Sequence, residues 1–130
     1  MDQAVLVTSA RFLVDELNRE GLAVTSAAWV RDEESETSWR LWLALANADV
    51  DLHDAYMRVA TIVGRDFGRL GGLEPGRVKL VRSDHPVMLG IRKFQQIRDF
   101  TGKNLRNNLF GEHYVFDVVP VFVEPEPVAS

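Results

Sequence analysis

The sequence predicts an α+β domain, a two-layer sandwich in which a small mixed sheet is packed by helices on at least one face. Three observations predict it. The apolar period changes from about 3.6 residues to 2 at Ala23 and returns to the helical value after Ala46. A strand-sized apolar run, Val78 to Val81, then stands between two further helical stripes. With 130 residues the chain has the usual size of one domain. Residues 1–123 are read as that domain and residues 124–130, rich in Pro and Glu, as a disordered tail.

The first helix rests on Val5, Leu6, Ala10, Leu13, Val14 and Leu17, which recur at three- and four-residue steps, with Gly21 at its end. A hairpin follows. Its first strand runs from about Val24 to Arg31, acidic Asp32 to Glu36 forms a solvated turn, and the second strand alternates Trp39, Leu41, Leu43 and Leu45 with Arg40, Trp42, Ala44 and Ala46. If Arg31 opposes Thr37, Trp29 opposes Trp39, and this aromatic pair fixes the register. The first face is then core. The second, with Val24, Ala28, Val30, Trp42 and Ala44, is expected to remain partly uncovered.

Leu52, Tyr56, Val59, Val63, Phe67 and Leu70 make the second helix, with Asp49 or Asp51 as its N-cap. Gly68, Gly71, Gly72, Pro75 and Gly76 read as a connector, because they follow a helix and lack the Gly-Lys-Ser/Thr ending of a phosphate loop. After the strand at Val78 to Val81, Ser83 or Asp84 is expected to cap a third helix with Val87, Ile91, Phe94 and Ile97 inward. A polar loop through Lys103 to Asn108 leads to the last strand, Tyr114 to Val123. Pro120 cannot donate a ladder hydrogen bond there and so predicts an edge or a bulge. The parallel pair implied by strand, helix, strand should cross right-handedly.

Composition excludes several classes of chemistry. The chain has no cysteine, which removes disulfides, thiolate metal sites and thiol nucleophiles and fits a reducing, cytoplasmic setting. No run approaches the roughly 18 apolar residues of a membrane span, and no signal-peptide pattern precedes the first helix. His53, His85 and His113 lack metal-ligand spacing, and no Gly-x-Ser-x-Gly elbow occurs. No catalytic residue, metal or cofactor is therefore expected.

The Ala27-Ala28-Trp29 strand, its acidic turn, Trp39-Arg40-Leu41 and the helix bearing Tyr56 resemble a group of small, uncharacterised bacterial proteins. The resemblance spans roughly residues 23–81, with a weaker echo at 114–123, and implies a fold and a bacterial origin without an activity.

Charge is unevenly placed. The net charge of −4 divides into −6 over residues 1–76, +6 over 77–106 and −4 over the remainder. Two functional expectations follow. The first is a non-enzymatic interaction or accessory module, a homodimer or the complement of an unidentified protein partner, binding through Trp42, Arg40, Val30 and Ala28 on the second hairpin face. The alternative is a nucleic-acid or phosphate-ligand site built from Arg77, Lys79, Arg82, Lys103 and Arg106.

Overall fold

The structure, a computed structural model, describes residues 3–35, 38–46, 49–66, 68–70 and 73–124. The described chain forms α1 (Gln3–Arg19), β1 (Val24–Asp32), β2 (Arg40–Leu45), α2 (Leu52–Arg65), a single 3-10 turn (Pro75–Arg77), β3 (Val78–Arg82), α3 (Pro86–Ile97), β4 (Leu105–Phe110) and β5 (His113–Val123). The strands make one mixed sheet in the order β3-β2-β1-β5-β4. β2 and β3 are parallel, and every other neighbouring pair is antiparallel.

Alternation along β1 and β2 decides the layering. Ala27, Trp29, Leu41, Leu43 and Leu45 share a core with the inward faces of α1 and α2. Ala28, Val30, Trp42 and Ala44 share a second core with Val87, Met88 and Ile91 of α3. The α+β class stands, and helices cover both faces, giving three layers where two were expected. β2 requires this, because Leu41 to Leu45 are all buried and a strand buried on both faces needs a cover on each. Trp29 adds a polar tie to the first layer, its indole N–H donating to the Leu6 carbonyl at 2.9 Å.

Several local expectations change. Trp29 pairs with Leu41 and Val30 with Arg40, a register two residues away from the one that opposed the two tryptophans. A two-residue shift preserves the faces, so Trp39 still packs against the first core. Val24 joins that core as well, because a bulge between Val24 and Ser26 reverses its side. Asp51 caps α2, and its carboxylate accepts from the His53 backbone N–H. α3 is capped by His85 rather than Ser83 or Asp84: its ring Nδ1 accepts from the Val87 N–H at 3.1 Å. Ile97 points outward, since the buried stripe of α3 is Val87, Met88 and Ile91.

The polar stretch read as a loop contains β4, which pairs with β5 through a two-residue hairpin turn, Gly111-Glu112. Gly111 supplies the φ of +64° that such turns need. Pro120 lies beside the bulge in the β1–β5 ladder between Ala27 and Ala28, and its carbonyl accepts from the Gly102 N–H. Glu36, Thr37, Phe67, Gly71, Gly72 and the tail from Pro125 lie outside the described residues.

Gly90 fixes how closely α3 approaches β4, because a Cβ there would overlap the Phe110 ring. Gly90→Ala should lower stability by about 1–3 kcal/mol through overpacking, despite alanine's better helix propensity. Gly64→Ala, in α2 with open space around it, should raise stability by about 0.5–1 kcal/mol. Denaturant unfolding of both variants against the parent checks the pair, since helix propensity alone predicts stabilisation in each.

Candidate functional site

Three places gather chemistry or exposed apolar surface: a polar cluster around Trp42, a cleft at the C-terminal ends of β2 and β3, and a groove between α3 and β4.

The cluster is assembled by four strands and the start of α3. Trp42 projects from β2 toward α3, with His85 edge-on to its ring at 5.0 Å and His113 at 5.5 Å. The two imidazoles lie 5.5 Å apart, and the Lys79 ammonium sits 4.6 Å from the indole centroid. Across the sheet, His113 Nε2 meets the buried Asp32 carboxylate at 2.9 Å. The other Asp32 oxygen accepts from the Ser35 N–H and hydroxyl, both at 3.0 Å. Separation along the chain concealed this meeting of His85 and His113, whereas His53 stays exposed at the start of α2.

Electrostatics follow from the geometry. Burial pushes the His85 pKa below the ordinary histidine value, and the adjacent His113 and Lys79 push the same way, against weaker help from Asp84 and Asp32. Burial raises Asp32, but hydrogen bonds from His113 and Ser35 together outweigh it and hold the carboxyl below its usual value. Because His85 Nδ1 accepts a backbone hydrogen bond, the neutral ring carries its proton on Nε2. Ser35 Oγ is engaged with Asp32, so the Asp32–His113 pair orders no hydroxyl nucleophile through that serine. Among the described residues no group of three His, Cys, Asp or Glu side chains can hold a metal ion.

The sequence-selected residues fall differently from expectation. Trp42, Val30 and Ala28 are buried to 1%, 0% and 0% exposure. The second hairpin face is therefore filled by α3 and the β4–β5 hairpin, which removes the reason to assign it to a partner. Covering an indole of about 150–250 Å² at about 25 cal/mol/Å² contributes roughly 4–6 kcal/mol, so this face is core. Arg40 pairs with Glu34 at 3.0 Å, and Lys79 meets the other oxygen of the same carboxylate at 3.3 Å.

The basic residues divide between opposite edges of the sheet. Arg77, Lys79 and Arg82 belong to the β3 side, and Lys103 and Arg106 to the β4 side. Four interstrand steps of about 4.8 Å place these edges about 19 Å apart. Arg82 pairs with Asp84 at 3.3 Å and Arg106 with Asp117 at 3.6 Å. The segment that is basic in sequence is not one contiguous patch.

The cleft, of about 580 Å³, lies where β2 and β3 end and α2 and α3 begin. The groove, of about 520 Å³, runs between α3 and the edge strand β4. Leu89, Ile97 and Leu109 line it and are 41%, 76% and 66% exposed. Residue periodicity places Leu89 and Ile97 on one helix side, but Leu109 required the unrecognised strand.

No family model matches this chain. No curated protein and no solved structure matches it either. No helix among the described residues is long and apolar enough to cross a membrane.

The His85 cap makes stability depend on pH. A histidine whose folded pKa is depressed binds its proton more readily when unfolded, so its contribution is complete above about 6.5 and is lost as pH falls. Asp32, also depressed, contributes above about 3.8 and loses that contribution as pH falls through its folded value. The urea midpoint should therefore decline as pH falls below about 6.5, and decline again in acid below about 3.8. His85→Asn retains a capping acceptor and should flatten the first decline only. An unaltered first decline in that variant would assign it to another group.

Proposed function

We propose that the chain is a non-enzymatic interaction module that holds an extended, acidic segment of a partner protein along β4 and in the α3–β4 groove. The observation that carries this reading is the coincidence of an unpaired sheet edge with Leu89, Ile97 and Leu109 exposed beside it. Among the described residues β4 pairs only with β5, which leaves its outer side for strand addition. The opposite edge is obstructed, since the Leu80 N–H of β3 donates to the Tyr56 hydroxyl of α2 at 2.9 Å.

Charge selects the partner. Of the basic side chains in residues 86–111, Lys93, Lys103 and Arg106 stand at this edge, Arg106 being paired with Asp117 at 3.6 Å. Lys93 lines the groove, and Lys103 and Arg106 are exposed along the same edge. Two copies joined edge to edge would bring these cations together, whereas an acidic segment complements them. Asn107, at φ +53°, interrupts the extended edge. Pairing is thereby kept short, and apolar anchors in the groove must supply much of the affinity.

Fluorescence anisotropy with a labelled peptide alternating Glu with Leu or Ile tests this. The peptide should bind the full chain in a salt-sensitive manner, and its Lys-for-Glu counterpart should not. Ile97→Glu and Leu109→Glu should each weaken binding at least tenfold while leaving the melting temperature nearly unchanged, because both side chains are exposed. Equal binding of the two peptides, or indifference to both substitutions, overturns the proposal. So does a concentration-dependent dimer that Leu109→Glu dissolves, which would make a second copy the occupant.

A further inference from the structure

We infer that the cleft at the ends of β2 and β3 is a binding site for a small apolar zwitterion, an α-amino acid with a large apolar side chain. This goes beyond the interaction reading and uses a different part of the molecule. β2 and β3 are adjacent and parallel, and the chain leaves β2 for α2 on one face of the sheet and β3 for α3 on the other. Diverging connections open a crevice beyond the carboxyl ends of such strands, the position where open α/β sheets hold ligands.

The crevice is present and has a ligand's dimensions. Its volume of about 580 Å³ falls within the roughly 300–1,000 Å³ of small-molecule sites. Leu45, Val50, Leu52 and Val81 form apolar walls. Leu52 is 54% exposed at the start of α2, although its helix has a buried face available to it. An apolar body entering here would cover that leucine.

The polar lining specifies the rest of the ligand. Arg82, Asp84 and His85 supply one guanidinium, one carboxylate and one imidazole held neutral by its surroundings. Arg82 and Asp84 currently pair with each other at 3.3 Å, with side chains 71% and 66% exposed. An exposed pair of this kind contributes roughly 0–1 kcal/mol, so parting it costs little. A simple carboxylate would leave Asp84 unmatched, and a simple amine would leave Arg82 unmatched. A zwitterion exchanges one exposed ion pair for two, with its carboxylate on Arg82 and its ammonium on Asp84, and leaves no net charge in the cleft.

Titration of the full chain with phenylalanine, hydrocinnamate and phenethylamine separates these cases. The readouts are calorimetry and the indole N–H resonance of Trp42, whose ring lies 5.0 Å from that of His85. Phenylalanine should bind at least tenfold more tightly than either analogue. Arg82→Gln should weaken phenylalanine and hydrocinnamate and spare phenethylamine, and Asp84→Asn should do the reverse. Both variants should melt like the parent, as neither residue caps α3. An analogue binding as tightly as phenylalanine, binding indifferent to both substitutions, or no response at millimolar ligand overturns the inference.

Discussion

The burial of β2 on both faces is the constraint from which the rest of the architecture follows. Leu41, Leu43 and Leu45 require one helical layer, and Trp42 and Ala44 require another. A short chain meets both demands by sending its two βα connections in opposite directions. The cleft between β2 and β3 is thus a geometrical consequence of covering a doubly buried strand. It needed no separate loop or insertion.

The same constraint explains the polar cluster. Among the described residues Trp42 has the largest fully buried side chain, and its indole N–H has no hydrogen-bond partner there. A buried unsatisfied donor costs about 1–3 kcal/mol, less than the roughly 4–6 kcal/mol its ring contributes by burial. Packing therefore wins over hydrogen bonding at this position. His85, His113 and Lys79 surround the ring with polarisable or cationic neighbours suited to its quadrupole. His85 at once caps α3 and closes this cluster, so one side chain joins the helix start to the sheet.

Where sequence and structure agree, the signal was local and periodic. Val59 and Val63 of α2, the hairpin faces apart from Val24, and the bulge beside Pro120 were legible because 3.6- and 2-residue periods, and a missing N–H, report directly on local geometry. Leu52 and Tyr56 of the expected α2 stripe are exposed instead, and Leu70 lies beyond the end of that helix. β4 was not legible, since Arg106, Asn107 and Asn108 break the apolar alternation and an edge strand buries little. The two-residue slip in the hairpin escaped notice because it leaves every side chain on the same face. The site residues were hidden for a different reason. Whether Trp42 is covered depends on Val87, Met88 and Ile91, more than forty positions away. Likewise, Arg82 and Arg106 are close in sequence but are separated by the strand order of the sheet.

α3 is where the separate features meet. Pro86 borders both the cleft and the groove, so the first turn of the helix forms a partition between them. Farther along, Gly90 lets the helix settle against Phe110, which brings Leu89 and Ile97 alongside Leu109. Burying Val87, Met88 and Ile91 beneath the helix leaves its flank free to present those apolar residues. A larger residue at position 90 would relieve neither demand, because widening the gap would uncover Trp42 and separate the two walls of the groove. The spacing that completes the second core is therefore the spacing that shapes the exposed groove.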